Sequence, residues 1–219
     1  MSASIRSQKY QERGARARRH NHALVALGRR VWHEDCTFET AIAEICEVAA
    51  DTLELERVNV WRVEAETQQL RCVHAYFRSE EMHNPPGYEE CLLLESEYST
   101  QLGEVRVIDI PDVGNDSTVS ASERLLRAYL RRHDIHSLLD APIRAEGVLL
   151  GVVCHEHVGS ARVWTPEDYA FAGSIGDYIA VAYEIARRRE IEIRLRYLER
   201  HDPHTNLPNR DHLLEVAHT

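Results

Sequence analysis

The sequence predicts an α+β domain built around a central antiparallel sheet of about five to six strands. Alternating apolar and polar residues joined by short turns occur at 57–77 and again at 137–157, and strands connected so closely run antiparallel. A helical pattern precedes the first strand pair, and a long one follows the second. We expect helices on one face of the sheet, an irregular insertion over the other face and a long C-terminal exit helix.

The second strand pair organises the rest of the chain. It comprises Ser137–Ala145 and Val148–Glu156, joined by a turn at Glu146 and Gly147. Because Pro142 donates no backbone hydrogen bond, the first of these should be an edge or bulged strand. The second is apolar at its centre on both alternating sets of side chains, so it must be covered on both faces. We expect packed chain behind it, and further chain or a ligand in front.

Two helices precede the first strand pair. Residues 10–33 have a narrow apolar seam suited to another helix, formed by His20, Leu24, Leu27 and Val31. Thr37 can cap a second helix, whose wide apolar stripe belongs against the sheet. The members of this stripe are Phe38, Ala41, Ile42, Ile45, Val48, Ala49 and Leu53.

The first strand pair is predicted at Arg57–Val63 and Gln68–Phe77, which alternate with period two. Residues 78–90 lack such a pattern and form a loop marked by Asn84-Pro85-Pro86-Gly87. Three elements should follow: a brief strand at 92–94, a strand at 105–110, and a short helix opened by a capping box of Ser120 and Glu123.

The exit helix has a strong start, because Thr165 supplies a hydroxyl cap and Pro166 suits the first helical position. The pattern continues to Glu199, about 50 Å at ~1.5 Å per residue, so we expect its second half to project from the domain. Ile191, Leu195 and Leu198 there have the spacing of a two-helix seam. We expect a homodimer through this helix, assisted by residues 10–33.

The net charge of −10 is unevenly distributed. Residues 1–33 carry +7, whereas residues 34–186 carry −18. A body this acidic repels nucleic acid and acidic membrane surfaces, which we therefore exclude as partners. The chain also has neither a membrane-spanning apolar run nor a signal-peptide pattern, so we expect a cytoplasmic location.

The cysteines are odd in number, widely spaced and without a CxxC pair. We expect reduced, mostly buried thiols rather than disulfides or a zinc knuckle. They are Cys36, Cys46, Cys72, Cys91 and Cys154.

Several short segments resemble the GAF domain family in order and spacing, over about residues 35–186. They are Asp109-Ile110, Tyr129-Leu130, the run from Ile135 to Ile143 with its Ser137-Leu138-Leu139-Asp140 centre, the run from Gly147 to Val153, and the run from Trp164 to Asp168. The PAS domain, the nearest rival, lacks the central run. The resemblance implies a sensory domain with a ligand pocket between the sheet and the insertion at 78–130.

A second resemblance lies at the C-terminal end. The segment His201–Arg210, HDPHTNLPNR, is similar to the opening segment of a GGDEF (diguanylate cyclase) domain, usually D-x-L-T-G-L-P-N-R. His204 stands where Leu is usual and Asn206 where Gly is usual, and Asn tolerates the positive φ of that turn almost as well as Gly. The resemblance implies a bacterial cyclic di-GMP signalling protein whose catalytic part is absent from this chain, so we expect no enzyme activity here.

The expected domain plan follows from both resemblances. It comprises an N-terminal helix at 1–34 in the dimer contact, a GAF sensory domain at 35–186, a signalling helix at 187–200 and a truncated start of the GGDEF domain at 201–219. The GAF domain would bind a small ligand or mediate dimerisation, and the signalling helix would transmit the change. The sequence leaves the ligand, and any cofactor, unidentified.

Seven residues are candidates for lining the implied pocket. They are Tyr98, Arg106, Asp109, Tyr129, Ser137, Asp140 and His155. The N-K-x-F-x-D-E run typical of cyclic-nucleotide-binding GAF domains has no counterpart at 114–123. Acids at 109, 112 and 116 oppose a phosphate and favour a cationic or hydroxyl-rich small molecule.

The alternative function is a cysteine- or metal-dependent GAF enzyme, or a chromophore-binding domain. His155 and His157 share one face of a strand, and His74 could add a third metal ligand. GAF proteins that attach a bilin usually do so at a Cys-His pair opening a helix, whereas Cys154-His155 lies in a strand. Acidic neighbours of Cys91 work against a thiolate. We therefore assign no metal site and no catalytic residue.

Overall fold

The computed structural model describes residues 2–30, 36–94, 96–114, 124–203 and 205–209. These residues form helices α1 (Ser2–Arg30), α2 (Phe38–Leu53), α3 (Ser96–Glu104), α4 (Arg124–Arg132) and α5 (Pro166–Arg200). The strands are β1 (Arg57–Glu64), β2 (Gln69–Phe77), β3 (Met82–His83), β4 (Cys91–Leu93), β5 (Ile108–Ile110), β6 (Ile135–Ala145) and β7 (Val148–Val158).

The strands form one antiparallel sheet in the order β3-β2-β1-β7-β6-β5, and β4 also pairs with β2. The α+β class and the antiparallel sheet are thereby confirmed. The sheet has seven strands: β4 is the brief strand expected at 92–94, the short strand β3 is additional, and the two pair with opposite ends of β2.

The β6–β7 hairpin forms as its sequence predicts. Glu146 and Gly147 have φ values of 50° and 78°, the left-handed pair that a two-residue type I′ turn requires. Strand β5 pairs with β6 only at 138–140, so Pro142 lies beyond that pairing. The register also shifts between Ile143 and Arg144, which agrees with the expected bulge.

Helix α2 begins where its cap predicts, since the backbone N–H of Thr40 donates to Thr37 Oγ1 at 3.2 Å. Together with the first half of α5, this helix covers one face of the sheet. The core between them is fully buried, and its members include Ile45, Leu53, Leu139, Val153, Phe171 and Ile175.

The chain divides into two units, Met1–Ala182 and Tyr183–Thr219, and α5 contributes residues to both. Within the first unit α5 approaches the sheet closely at its glycines. A Cβ added at Gly176 would lie 2.9 Å from the carbonyl oxygen of Pro142, and one at Gly173 would lie 2.6 Å from Arg106 Nε. The two glycines that weaken this helix locally therefore permit its packing on the sheet.

Helix α1 packs within its own chain against α2 and α5. Leu27 is fully buried, and Tyr178 of α5 donates its hydroxyl hydrogen to the carbonyl oxygen of Leu24 at 2.9 Å. Among the described residues, no helix is both long enough and apolar enough to cross a bilayer.

Helices α3 and α4 contribute to a second apolar core on the other face of the sheet, which includes Leu102, Leu130, Leu138 and Val152. Helix α3 has no counterpart among the sequence predictions, and the strand expected at 105–110 is reduced to β5. The capping box of Ser120 and Glu123 lies outside the described residues, and the described part of α4 begins at Arg124.

In the second unit a tight turn follows α5. Asn206 has a φ of 56°, the left-handed conformation that the sequence predicts for this position, and its backbone N–H donates to the carbonyl oxygen of Asp202. The turn is tied to the helix because Asn209 Nδ2 donates to the carbonyl oxygen of Glu199 at 2.7 Å.

Candidate ligand site

A small cavity that is partly open to solvent lies between the sheet and helices α3 and α4. The volume that the centres of water molecules can occupy in it is about 30 Å³, which is room for one or two waters. Its walls are largely aliphatic and aromatic, and its residues come from β1, β2, β4, β6, β7 and both helices. They are Trp61, Leu70, Leu92, Leu93, Tyr98, Leu126, Tyr129, Leu138, Val152, Cys154 and Glu156.

Glu156 is the charged residue in this otherwise apolar wall, and it is fully buried. Its Oε1 accepts hydrogen bonds from the hydroxyl of Tyr129 at 2.6 Å and from Asn59 Nδ2 at 2.9 Å. Its Oε2 lies 3.2 Å from Arg57 Nε. The carboxylate therefore joins β7 to β1 and to helix α4.

The network extends from Glu156 into the loop before β4. The hydroxyl of Tyr88 lies 2.7 Å from that of Tyr129, and it donates, because Tyr129 uses its own hydrogen for Glu156. Arg57 donates to the backbone carbonyl of His133 at 2.5 Å, just after α4. Both tyrosine hydroxyls and the guanidinium thus hold the covering elements to one buried carboxyl group.

Burial controls the protonation of this group. Loss of hydration raises the pKa of Glu156 to about 7, against the opposing effects of Arg57 and of the hydrogen bond from Tyr129. The pKa of Tyr129 is raised well above its ordinary value, first by burial and then by the charge of Glu156. The carboxyl therefore exchanges its proton near neutral pH, whereas the tyrosine remains a hydrogen-bond donor.

A second carboxyl–tyrosine pair lies on the same face of the sheet. Asp140 of β6 is fully buried and accepts a hydrogen bond of 2.5 Å at Oδ2 from the hydroxyl of Tyr98. Asp140 pairs with Cys154 in the β6–β7 register, and Glu156 pairs with Leu138. Because opposite residues of an antiparallel pair share a face, the two carboxylates lie diagonally on one side of the sheet.

The seven predicted residues divide between the two faces of the sheet. Tyr98, Tyr129 and Asp140 come together at or beside the cavity. His155 alternates with the cavity residues Cys154 and Glu156, so its side chain lies on the opposite face, where Nδ1 contacts the carbonyl oxygen of Leu139 at 2.9 Å.

The other three predicted residues are also placed away from the cavity. Arg106 is exposed and donates to Asp177 of α5 at 2.6 Å. Asp109 is exposed on β5. Ser137 is buried, where its hydroxyl donates to the carbonyl oxygen of Pro111 and accepts from the backbone N–H of Arg162.

The histidines considered for a metal site and the cysteines considered for thiol chemistry are held apart or kept uncharged. Within the described ranges, no three His, Cys, Asp or Glu residues are grouped so as to hold a metal ion. His74 contacts His83 at 3.0 Å, and burial lowers its pKa to about 4. Burial raises the pKa of Cys72 to about 12 and that of Cys154 well above its ordinary value, so both thiols stay protonated.

Sequence reasoning missed Arg57, Asn59 and Trp61 and did not assign Glu156 to the cavity. A signal was present in β1, where Arg57 and Asn59 alternate with Val58 and Val60. Such alternation normally marks a solvent-facing side, yet the structure buries both faces. The polar residues of β1 are therefore the buried partners of Glu156.

The family model for the GAF domain matches residues 37–183. A sequence search against curated proteins gave no match. The fold, in contrast, is widely shared among solved structures.

Three solved structures illustrate this likeness. The phycocyanobilin-bound GAF domain from a cyanobacterial phytochrome has a TM-score of 0.64 and 16% identity, over 78% of this chain and 96% of that one. The GAF domain from a phosphoenolpyruvate-protein phosphotransferase (ptsP) of Coxiella burnetii has a TM-score of 0.60 and 16% identity, over 80% and 98%. Bacteriophytochrome RpBphP3 from R. palustris has a TM-score of 0.62 and 16% identity over 82% of this chain, which spans only 40% of that protein.

Proposed function

The chain belongs to the GAF domain family, and from that premise we propose that it is the regulatory sensory part of a larger signalling protein. It binds a small ligand in the cavity between the sheet and helices α3 and α4. The observation that carries this proposal is the buried Glu156–Tyr129 pair, which connects the cavity wall to a helix covering the site. A ligand that changes this contact changes how α4 is held.

The proposed output is a diguanylate cyclase (GGDEF) domain following this chain. Support comes from the resemblance of residues 201–210 to the opening of that domain and from the left-handed turn at Asn206, which the resemblance requires. In this proposal 35–186 is the sensor, 187–200 the signalling helix, and 201–219 the start of the output domain. The parent protein, not this chain, would be the enzyme.

Signal transmission is proposed to run through a homodimer. Ile191 and Leu195 of α5 are about half exposed in the second unit, and with Leu198 they repeat at steps of 4 and 3. The N-terminal helix at 1–34 is the proposed second contact between subunits. A differential ligand affinity on the order of 1–3 kcal/mol between two arrangements of the seam gives a useful response.

The five cysteines are free, which fits the reducing cytoplasm as the proposed location.

A thermal-shift screen of the purified chain with small amino acids, amines and metal ions tests the sensory proposal. We expect at least one compound to raise the melting temperature, because binding to the folded state alone stabilises it. Leu126→Trp should abolish this shift, since Leu126 lines the cavity and the larger ring fills it. Val163→Trp is the matched control, because Val163 is 84% exposed. If no compound acts, or if the shift survives Leu126→Trp, ligand sensing at this cavity is wrong.

Chromophore binding is the second candidate function, because phytochrome GAF domains are among the structural neighbours and Cys154 lines the cavity. Two observations weigh against covalent attachment. The raised pKa of Cys154 leaves little thiolate to react, and the cavity is far smaller than a tetrapyrrole requires. Coexpression with bilin-synthesising enzymes should give a colourless protein. A visible absorption band that persists after denaturation would instead establish this second function.

A further inference from the structure

We propose that Glu156 is a proton-binding site that controls how firmly one part of the chain, residues 84–90 with helix α4, covers the sheet. The protonated carboxyl keeps this cover closed, and the ionised one favours its opening to water. The inference names a regulator of the Glu156–Tyr129 contact, on which the proposed sensory function also rests. It follows from the burial of Glu156, the chain of hydroxyls that leads from it and the way the cover is held.

Three oxygen atoms form a chain from the buried carboxyl toward the surface. Glu156 Oε1 lies 2.6 Å from the hydroxyl of Tyr129, which lies 2.7 Å from that of Tyr88. Glu156 is fully buried and Tyr129 is 3% exposed, whereas Tyr88 is half-buried. Asn59 Nδ2 lies 2.9, 3.0 and 3.1 Å from the three oxygens as a shared donor. The chain therefore connects a group without solvent contact to a residue that has such contact.

The hydrogen bonds of this chain can run in either direction. When Glu156 is ionised, Tyr88 donates to Tyr129, which donates to the carboxylate. When a proton binds at Oε1, the new O–H donates to Tyr129, Tyr129 donates to Tyr88, and the hydrogen of Tyr88 is released from the chain. One O–H bond forms on Glu156, and the two hydroxyls only rotate. Burial raises the pKa of both tyrosines, so they remain protonated in either state.

Desolvation decides which form the closed cover favours. Arg57 Nε lies 3.2 Å from Glu156 Oε2, and buried Asp140 lies diagonally on the same face. Loss of hydration outweighs the attraction of Arg57 and raises the pKa of Glu156 to about 7. An opening that lets water reach the carboxyl returns this pKa toward its ordinary value of 4.5 and releases the proton. The closed cover therefore holds the protonated acid, and ionisation favours opening.

The neighbouring thiols and the neighbouring histidine can be separated from Glu156 by their pKa values. Burial keeps Cys72 and Cys154 as neutral thiols. Burial also lowers the pKa of His133 from its ordinary 6.5, against the effect of Glu90. The titratable or charged groups around Glu156 and its chain are Arg57 on β1, Cys72 on β2, Tyr88 and Glu90 before β4, Tyr98 on α3, Tyr129 on α4, His133 after α4, Asp140 on β6 and Cys154 on β7.

The two parts of the cover are joined to each other by Glu90. Its Oε2 accepts a hydrogen bond of 2.5 Å from Arg132 in the last turn of α4, and its Oε1 lies 3.0 Å from His133 Nε2. On the inner side, Tyr129 joins the same unit to Glu156. A change of charge at Glu156 therefore acts on α4 and on residues 84–90 together.

The first test detects the proton directly. The ¹³Cδ signals of glutamate are followed from pH 5 to pH 9 in the full chain. One signal should titrate with a midpoint of about 7, and Glu156→Gln should remove it. Glu66→Gln is the matched control and should retain this signal, because Glu66 is exposed in the turn between β1 and β2. If no glutamate of the unaltered protein titrates between pH 6 and pH 8, the proton site is overturned, whether or not Glu156→Gln folds.

The second test measures the opening of the cover. Hydrogen exchange, corrected for the intrinsic effect of pH on amide rates, is compared at pH 6 and pH 8. Amides of α4 should exchange faster than those of α2, and about 10-fold faster at pH 8 than at pH 6, as linkage gives for a pKa that moves from about 7 to 4.5 on opening. Glu156→Gln should abolish this pH effect. His133→Gln should retain it, because the pKa of His133 is lowered rather than raised.

The outcomes separate this inference from ligand sensing. The inference is overturned by an equal pH effect in the unaltered protein and in Glu156→Gln, by loss of the effect in His133→Gln, or by α4 amides that exchange only as slowly as those of α2. If the pH response appears but no compound raises the melting temperature, ligand sensing is wrong and the proton site stands. If a compound acts, Leu126→Trp abolishes its effect and α4 shows no pH response, the sensory function stands and this inference is wrong.

Discussion

Gly151 shows how a single side chain can be excluded by the packing of two backbones. It pairs with Arg62 in the β1–β7 register, and a Cβ added there would overlap the carbonyl oxygen of Trp61. The obstacle is backbone rather than a flexible side chain, so the strands must separate to accept it. Any movement of β1 also displaces Trp61 in the cavity wall.

Gly151→Ala should therefore lower the free energy of unfolding by about 3 kcal/mol, as overpacking in a rigid core does. Urea denaturation followed by circular dichroism measures the change. Gly103→Ala is the matched control, because a Cβ at Gly103 in α3 meets nothing within 4 Å. Alanine there should stabilise the protein by about 0.5–1 kcal/mol. Equal effects at both glycines would contradict the close approach of β1 and β7.

Glu156 makes the stability of the folded protein depend on pH. Its pKa is raised by burial from an ordinary value of 4.5 to about 7, so between these values the folded protein holds a proton that the unfolded chain has released. The contribution of this group to stability is therefore complete below pH 4.5 and is lost as the pH rises through about 7. Buried His74 and His155, with pKa values lowered to about 4, act in the opposite direction, and their contribution is lost as the pH falls.

Glu156→Gln isolates this contribution, since glutamine mimics the protonated acid and the histidines are common to both proteins. Relative to the unaltered protein, the variant should gain on the order of 2–3 kcal/mol between pH 5 and pH 8. Urea unfolding of both proteins at the two pH values measures this gain. A stability difference that is the same at pH 5 and pH 8 would show that Glu156 is already ionised in the folded state at pH 5.

At the scale of elements, the start of α5 is held to α1 by side-chain contacts. The backbone N–H of Thr165 donates to Asp168 Oδ2 at 2.9 Å, and that of Asp168 donates to Thr165 Oγ1, which forms a capping box. Asp168 is 1% exposed and also accepts from Arg16 of α1 at 3.1 Å. Arg13 of α1 also pairs with Glu167 of α5, and Arg19 of α1 pairs with Glu54 at the end of α2.

Asp168→Ala should remove both the cap and the ion pair, and leave Arg16 near a buried site without its partner. We expect a loss of about 2 kcal/mol in the free energy of unfolding, mostly from the lost cap, because Arg16 is 36% exposed and remains hydrated without its partner. Hydrogen exchange should also show faster exchange in α1. Glu167→Ala is the control, because its partner Arg13 is exposed and a surface pair contributes little. A loss for Asp168→Ala no larger than the control's would contradict this account of α1 docking.

Elements with strong periodicity or caps could be predicted, and those stabilised by packing could not. Helix α2 was placed by Thr37 and its apolar stripe, and the hairpins by alternation and turn residues. Helix α3 has the sequence SEYSTQLGE, which contains few strong helix formers. It forms because Tyr98 and Leu102 are buried against the sheet. Tertiary burial therefore decided this element.

At the scale of the whole molecule, the seam on the second half of α5 bears on assembly. Ile191, Leu195 and Leu198 occupy alternating core positions of a heptad, whereas Ile193 lies between them on the outer side of such a pair. Ile193 is 65% exposed and Leu195 56% exposed in the single chain. Side-chain exposure alone does not show whether Ile193 or Leu195 belongs to the seam, but their heptad positions do.

The double variant Ile191→Glu with Leu195→Glu should convert the proposed dimer into a monomer, because like charges would face each other across the seam. Light scattering coupled to gel filtration measures the mass. Ile193→Glu, an equal change outside the seam, should remain dimeric. The thermal transition of the sensory domain should persist in all three proteins. A monomeric mass for the unaltered chain, or an equal effect of Ile193→Glu, would contradict a dimer through this helix.

The sequence by itself determined the family, the antiparallel sheet, the main helices and the left-handed turn at Asn206. These depend on local periodicity and on residues whose backbone preferences are intrinsic. Only the tertiary structure decided which polar residues meet at the cavity. Glu156 and Asn59 are 97 positions apart, yet they bond because β1 and β7 are neighbours. Strand order and burial bring such residues together, and neither is encoded in the spacing of nearby residues.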